Sequence, residues 1–420
     1  MKKLMMVAAA FSALVASAEI TITGVTARQR WPWNSLVDVD FTVNGKVGEA
    51  YAIDISATAA GGEKKLCATT FLTEPIARSG VKTRMVWDLG ADYPNFKADD
   101  LKVTVAATPF SDKMPLYLVV DISSGKDSAS YPVRYTTTAP VHTPGAEDPC
   151  KTTELWFKRV KAGTNHMGGT GGYAEHVCTL TNDFYLGVFE LTQAQAMNIV
   201  GEYCSYFTNG QDRLTRPCDT ILYTKVWNNL KWPDIKDITA DCISTRLKNR
   251  TGGLRFCLPT EWQWEYACRA GTNMADERYP GMQCRNNENS MPSKDYEWYS
   301  NQNMWSAEYG TSYVDACAPN PWGFYGMIGN VWEWCANLDS QSLVIAGGTL
   351  VEPEGRAASS VSSDNQRRRV LRGGCWRSSY DYSRCCTRTQ LDYWNTAAAG
   401  YGKYTSGVRL CLTVGKETVE

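Results

Sequence analysis

Cysteine is the residue that most constrains how this chain can fold. The 420 residues include 15 cysteines, and the stretch RGGCWRSSYDYSRCC, residues 372–386, contains three of them. No CxxC pair occurs, and histidine is present only three times, so the spacing does not match a zinc finger or a zinc ribbon. Disulfide bonds are then the commonest use for so many thiols, provided that the chain folds in an oxidising compartment. Because the number is odd, at least one thiol stays unpaired within a monomer.

The N-terminus predicts such a compartment. Residues 1–18 contain the parts of a secretory signal peptide in order: the basic MKK, the apolar LMMVAAAFSALVA and the small-residue ASA before Glu19. A buried N-terminal helix is the alternative interpretation of the apolar stretch. We expect a secreted or periplasmic protein. No later stretch reaches the ~18 apolar residues of a membrane helix, so we expect no transmembrane segment.

The charge balance limits the kinds of partner. Lysines and arginines number 43 and acidic residues 44, which gives a net charge of −1. A near-neutral chain lacks the electrostatic attraction that binds nucleic acids or anionic membranes. The basic run at residues 367–369 is short and is typical of a solvated loop. We therefore expect no nucleic-acid partner.

The N-terminal third of the chain has the pattern of β-strands. Apolar residues alternate in VDVDFTV (37–43), YAIDISA (51–57) and LKVTVAA (101–107), and LYLVVDI (116–122) is a continuous apolar run. Period-two strands separated by glycine-rich turns predict an all-β, immunoglobulin-like sandwich over residues 19–138. Its role as a spacer or as an adhesive module stays open. The threonine- and proline-rich segment that follows predicts a linker at 139–152.

Residues 153–420 are predicted to form a second domain of a different character, with three helices among irregular loops. Two helices have capping-box sequences, in which Thr192 precedes Gln195 and Thr260 precedes Gln263 by three residues. A third helix is predicted over residues 238–250, with an apolar stripe that includes Cys242. Long loops in a compact domain need cross-links to stabilise them, and disulfides between the cysteines can supply these.

Four segments of this second domain occur in the order of a known family. They are FYLGVFELTQAQ (184–195), RFCLPTEWQWEYACRAGT (255–272), NPWGFYGMIGNVWEWCANL (320–338) and VLRGGCWRSS (370–379). Together they resemble the sulfatase-modifying factor, or formylglycine-generating enzyme, family over roughly residues 155–412. The resemblance implies an α+β, C-type-lectin-like fold that is rich in irregular loops.

The resemblance also implies a specific chemistry, which this chain does not match. Active members of the family oxidise a cysteine of a sulfatase to formylglycine with oxygen. They use copper(I), which is bound by two cysteine thiols five residues apart. Soft thiolates suit copper(I). The first thiol stands two residues after the aromatic residue of the motif that reads GGCW (373–376) here, and that position is Ser378. We therefore expect no copper. Cys375 is the remaining candidate for a catalytic thiol, and the groove residues implied are Trp332, Trp376, Ser378 and Arg388.

Two disulfides are implied by the same resemblance. Cys385 matches a half-cystine whose partner is Cys268, at the end of the second capped helix. Cys242 matches another half-cystine, whose partner is Cys411. Cys411 is shifted by one residue from the family pattern, and a shift of one residue reverses the side-chain direction in a strand. Cys257 is therefore an alternative partner for Cys411.

The GNVWEW segment implies a calcium site. Related proteins bind calcium here through carbonyls that correspond to Gly329 and Val331 and through a carboxylate that corresponds to Glu333. Calcium takes roughly 6–8 oxygen ligands, and Gly326 stands where relatives have asparagine or aspartate. The alternative is a glycine turn between buried tryptophans, in which Glu333 accepts backbone hydrogen bonds.

Three functions stay open. The missing copper ligand favours a non-catalytic module that binds protein or glycan, because aromatic side chains in long loops suit recognition. The alternatives are an oxidase that forms formylglycine with displaced thiols, and another oxygen- or metal-dependent enzyme on the same fold.

Overall fold

The computed structural model describes most of the chain, and the statements below concern those residues. They are 20–30, 35–45, 50–73, 75–98, 100–109, 117–169, 174–210, 212–226, 241–271, 310–338, 348–351, 368–378, 384–392 and 405–413. The predicted signal peptide, 1–18, lies outside them. They form two compact units, one up to residue 109 and one from residue 117 onward.

The first unit consists of two antiparallel sheets. Its strands are β1 (Thr21–Gln29), β2 (Leu36–Asn44), β3 (Ala50–Ala59), β4 (Lys64–Cys67), β5 (Ile76–Arg78), β6 (Lys82–Asp88) and β7 (Lys102–Pro109), with a short helix α1 (Leu89–Asp92). One sheet has the order β1-β2-β6. In the other, β4 and β5 pair with β3 at its two ends, and β7 also pairs with β3.

The alternating residues of these strands form a single hydrophobic cluster. It includes Val39 and Phe41 of β2, Ile53 and Ile55 of β3, and Val103 of β7, each at most 3% exposed. Side chains two residues apart point to the same face of a strand, so the period-two pattern assembles one buried face per sheet. The immunoglobulin-like assignment and the independence of this unit as a domain stay predictions.

The second unit combines three sheets with short helices. Its strands are β8 (Tyr117–Asp121), β9 (Val133–Thr136), β10 (Glu154–Val160), β11 (Gly163–Met167), β12 (His176–Leu180), β13 (Phe184–Gly187), β14 (Trp332–Leu338), β15 (Thr349–Val351), β16 (Arg368–Arg372), β17 (Arg388–Asp392), β18 (Ser406–Gly407) and β19 (Cys411–Thr413). Its helices are α2 (Pro149–Thr152), α3 (Gln193–Val200), α4 (Tyr223–Val226), α5 (Ile243–Arg250) and α6 (Glu261–Arg269). The described strands have the orders β19-β13-β10-β8-β9, β11-β12-β15 and β17-β16-β14-β18.

The boundary between the units differs from the prediction. Strand β8 was assigned to the N-terminal sandwich, but it pairs with β10 and β9 in the five-stranded sheet of the second unit. Residues 117–120 are all buried, so the continuous apolar run is explained by a strand that is covered on both faces. The second unit therefore begins by residue 117 and not at 153.

Much of the segment predicted as a linker, 139–152, is anchored to the second unit by a buried polar cluster. The ammonium of Lys151 lies 2.7 Å from Asp315 Oδ2, and neither side chain is exposed. His142 Nδ1 lies 2.8 Å from the same oxygen, and its Nε2 lies 3.1 Å from the hydroxyl of Tyr325. Gly145 N–H donates to Asp315 Oδ1 at 3.1 Å. These contacts explain why a proline- and threonine-rich stretch is part of the folded unit.

The capped helices are confirmed. In α3 the Thr192 side chain accepts from the backbone N–H of Gln195, whose side chain accepts from Thr192 N–H, and the helix ends at Gly201 with φ 82°. Thr260 and Gln263 form the same box at α6. Each box satisfies two of the N–H groups that a helix N-terminus leaves without an intrahelical partner.

Helix α6 lies at the centre of the second unit, against β11, β14 and β16. All of its residues are buried, including the charged Glu261, Glu265 and Arg269. Trp264 and Cys268 belong to the main hydrophobic cluster. Buried charges require partners, so this helix determines where the other charged side chains of the unit lie. Among the described helices none is long and apolar enough to cross a membrane.

Candidate functional site

The GGCW turn and the GNVWEW segment meet in the structure. Gly373 has φ 94°, and a Cβ there would lie 2.9 Å from the carbonyl oxygen of Met327, so the turn requires glycine. The backbone N–H of Trp376 donates to the carbonyl of Asn330 at 2.8 Å. The Trp376 ring packs edge-on against Phe207, with ring centroids 5.5 Å apart. The third and fourth family segments therefore form one site.

Cys375 is buried within this turn and is held by Ser378. The Cys375 N–H donates to Ser378 Oγ at 2.9 Å, the two side chains approach to 3.4 Å, and Cys375 is 3% exposed. Burial raises the pKa of the Cys375 thiol above 9.0, and the hydrogen bond from Ser378 offsets this only in part. A catalytic or metal-binding cysteine needs a lowered pKa, because the thiolate is the reactive form. The environment of Cys375 therefore stabilises the inert thiol.

The residues of this turn do not fit copper(I). The position expected to supply the first thiolate is Ser378, a residue that is 8% exposed and whose hydroxyl already accepts from the Cys375 N–H. A hydroxyl oxygen is a hard donor, whereas copper(I) prefers soft sulfur. Tyr380, five residues after Cys375, lies outside the described residues.

Glu333 also differs from the predicted calcium ligand. Its carboxylate accepts from Arg409 at 2.7 Å and 3.1 Å and from the indole N–H of Trp264 at 2.6 Å. Glu333 and Arg409 are both almost completely buried. A calcium ion held by this carboxylate and by the carbonyls of Gly329 and Val331 would have to compete with the guanidinium for the same oxygens. The side chain therefore does not fit a calcium site, and in the described part of the chain the hydrogen bonds that it accepts come from side chains.

A second carboxylate, which the sequence analysis missed, lies beside this ion pair. Glu190 is completely buried, and its Oε2 accepts from Asn330 Nδ2 at 2.9 Å. Its Oε1 has no hydrogen-bond partner among the described residues. Burial, followed by the negative charge of Glu333, raises the pKa of Glu190 well above 4.5. A Cβ at Gly326 would come within 2.9 Å of Glu190 Oε2, so the glycine there leaves room for this carboxyl group.

Arg388 was predicted to line a groove, but it forms a buried ion pair. Its Nε lies 3.1 Å from Oε2 of Glu261, and the arginine side chain is 6% exposed. Glu261 is in the first turn of the buried helix α6, and burial of its carboxylate requires a cation. Trp376 and Ser378 are buried too. Of the four predicted groove residues, Trp332 is partly exposed, and so is Arg388 as a whole residue although its side chain is buried.

The structure brings together one of the two predicted cysteine pairs. Cys268 is completely buried, and burial, followed by a hydrogen bond with Cys385, raises the pKa of its thiol well above 9.0. The two sulfurs are therefore neighbours, as a Cys268–Cys385 disulfide requires. The disulfide itself stays a prediction.

Cys411 lies opposite Cys257 and not opposite the predicted Cys242. The backbones of Cys257 and Cys411 exchange two hydrogen bonds of 2.8 Å, as a directly opposed antiparallel pair does. Cys242 is the N-cap residue of α5, and its sulfur lies 3.3 Å from Thr245 Oγ1. The backbone therefore places Cys257, the alternative partner, beside Cys411.

Comparison with known families decides the assignment of the second unit. A family model described as "Sulfatase-modifying factor enzyme 1-like domain" matches residues 147–411, more than half of the chain. The chain belongs to the sulfatase-modifying factor family. The ion pairs of Glu261 with Arg388 and of Glu333 with Arg409 both lie within the matched residues.

Relatives in the family have different names. A serine/threonine-protein kinase pkn1 of Chlamydia pneumoniae is 36% identical over 132 residues, 31% of this chain and 18% of the kinase. The formylglycine-generating enzyme of Bos taurus is 30% identical over 147 residues, 32% of this chain and 34% of the enzyme. Among solved structures, Treponema denticola variable protein 1 matches with a TM-score of 0.47 and 22% identity over 65% of this chain and 99% of that chain. The matched segments are thus a minor part of both the kinase and the enzyme.

Proposed function

We propose that this chain is a secreted or periplasmic member of the family that binds a protein or a glycan and does not catalyse formylglycine formation. The observation that carries the proposal is the pair Cys375 and Ser378. A buried thiol with a raised pKa and a hydrogen-bonded hydroxyl stand where copper chemistry needs a soft donor set.

The names of the relatives do not decide the function of this chain. One is named as a kinase and one as a formylglycine-generating enzyme, and each shares a segment of about 130 to 150 residues with this chain. A fold hosts different functions, so the activity has to be inferred from the site.

The loop between α3 and α4 supports a role in binding. Its Tyr206 is 54% exposed, and the ring packs against Phe207 with centroids 5.2 Å apart. Phe207 in turn packs on Trp376 of the GGCW turn. An exposed tyrosine that is supported by two further aromatic rings suits recognition, because it offers apolar area and a hydroxyl with little conformational entropy to lose.

Copper titration and a peptide assay test the non-catalytic part. The full chain is titrated with copper(I) against a competing chelator and then incubated in air with a peptide that contains Cys-x-Pro-x-Arg. We expect no tight copper binding and no aldehyde by mass spectrometry. Formation of an aldehyde that Cys375→Ser abolishes would instead establish the oxidase alternative, with its chemistry moved to the turn cysteine.

An array experiment tests the binding part. The full chain is screened on an array of glycans and on an array of extracellular proteins, and each hit is repeated with Tyr206→Ala. We expect this variant to lose at least about tenfold in affinity, which corresponds to ~1.4 kcal/mol. Leu72→Ala, which truncates another exposed apolar side chain in the first unit, is the matched control and should bind normally. Equal affinities of both variants for every hit would contradict the proposed surface.

A further inference from the structure

Two short segments run side by side at the edge of the GGCW turn, and each carries a cysteine. The carboxylate of Asp219 accepts the backbone N–H of Tyr206 at 2.6 Å and that of Phe207 at 3.0 Å. The N–H of Asp219 donates to Ser205 Oγ at 3.3 Å. These contacts connect residues 205–207 to residue 219 over a separation of 12 to 14 positions.

Cys204 and Cys218 lie within this contact. The sulfur of Cys218 is 3.7 Å from the carbonyl oxygen of Tyr203, the residue that precedes Cys204. On the other side of Cys204, Ser205 contacts Asp219, the residue that follows Cys218. The contacts on both sides therefore bring the two cysteines close to each other.

The backbone of Cys204 is unusual for a residue with a side chain. Its φ is 50°, in the left-handed region that glycine or asparagine normally occupies. The loop nevertheless has cysteine at this position, with a partly buried side chain. A covalent partner for the sulfur is a reason to retain cysteine there.

The environment of the two thiols agrees with this geometry. Cys218 is completely buried, and burial, followed by the charge of Cys204, raises the pKa of its thiol well above 9.0. Burial also raises the pKa of Cys204. The sulfur of Cys204 is thus close enough to Cys218 to affect the ionisation of its thiol, and both residues are thiols in this structure.

We propose that Cys204 and Cys218 form a disulfide when the protein meets a disulfide oxidant. The thiolate of the more accessible Cys204 attacks a small-molecule disulfide such as oxidised glutathione and releases one thiol. The Cys218 thiol loses its proton and displaces the second thiol from the mixed disulfide. Two cysteine thiols are oxidised and one reagent disulfide is reduced to two thiols, so atoms and electrons balance.

The bond would close the loop that carries Tyr206 and Phe207. Because Phe207 packs on Trp376, the disulfide would fix the aromatic residues at the edge of the GGCW turn. The disulfide depends on contacts within the loop and not on whether the chain binds a ligand or catalyses a reaction.

Peptide mapping tests the proposal. The full chain is equilibrated with oxidised glutathione, blocked with N-ethylmaleimide in denaturant and digested with trypsin and a glutamate-specific protease. Cleavage after Glu202, Arg213 and Lys225 leaves Cys204 in peptide 203–213 and Cys218 in peptide 214–225, each with a single cysteine. We expect these two peptides to be linked, and the link to vanish after reduction.

Variants make the result specific. In Cys204→Ala, Cys218 should be recovered as the blocked thiol or as its glutathione adduct, and the linked pair should be absent. Cys67, which is exposed in the first unit, is an internal control that should react with N-ethylmaleimide before denaturation. Recovery of both peptides as unlinked, blocked thiols, or a link from either cysteine to a different one, would overturn the proposal.

Discussion

The same substitution at two neighbouring carboxylates is expected to have opposite effects. Glu333 and Glu190 lie together beside Arg409, and glutamine has nearly the same shape as glutamate. In Glu333→Gln the carboxylate that accepts from Arg409 at 2.7 Å and 3.1 Å is lost. Arg409 is completely buried, so its charge is left without its main partner. Breaking a buried ion pair from one side costs about 3–5 kcal/mol of the free energy of unfolding.

Glu190→Gln is expected to be stabilising at neutral pH. Because burial and the charge of Glu333 raise the pKa of Glu190 well above 4.5, folding favours the protonated form of this carboxyl group. In the unfolded chain the group ionises near 4.5. Glutamine is neutral in both states and keeps an oxygen for the hydrogen bond from Asn330 Nδ2, so it avoids the proton uptake that folding otherwise requires.

The pH dependence distinguishes the two states of Glu190. Above pH 4.5 the folded state binds one proton more than the unfolded state, so the free energy of unfolding falls as pH rises. The slope is about 1.4 kcal/mol per pH unit, up to the raised pKa of the folded state. Stability from this group is therefore full below pH 4.5 and is lost on the alkaline side. Glu190→Gln should remove this slope.

Urea unfolding followed by tryptophan fluorescence, at several pH values, measures both effects. The double variant Glu190→Gln/Glu333→Gln should have a lower free energy of unfolding than the sum of the two single effects predicts. The reason is that Glu190 can ionise and compensate Arg409 only when it is still a carboxyl group. A Glu190→Gln variant that is destabilised as strongly as Glu333→Gln at neutral pH would refute the reasoning, because Glu190 would then be an ionised partner of Arg409.

Three further predictions follow from the described residues. Non-reducing peptide mapping should recover a Cys268–Cys385 disulfide, and alkylation of Cys268 in the native, oxidised protein would contradict it. Lys151→Met should cost about 3–5 kcal/mol in urea unfolding because it removes the buried ammonium that pairs with Asp315 and leaves that carboxylate only its contacts with His142 and the Gly145 N–H among the described residues, and Lys151→Met/Asp315→Leu should recover part of that loss. Calcium should not raise the melting temperature through Glu333, so any rise should be the same in the parent chain and in Glu333→Gln. A rise that is absent from Glu333→Gln would restore the predicted site.

The sequence alone determined the features that depend on neighbours close along the chain. The capping boxes at Thr192 and Thr260 involve residues three positions apart, so a local pattern is sufficient to predict where α3 and α6 begin. The alternating strands of the first unit are local in the same sense. The family and the serine in place of a copper thiolate could also be read from ordered segments, because residue identity carries that information without coordinates.

Tertiary structure decided the features that depend on residues far apart. Strand β8 belongs to the second unit because it pairs with β10, and no local signal in an apolar run states its partner. Glu190 and Arg388 are buried beside Glu333 and Glu261, which are more than a hundred residues away in the chain. The energy of a buried charge is set by the groups around it in space, whereas sequence patterns record only those nearby along the backbone.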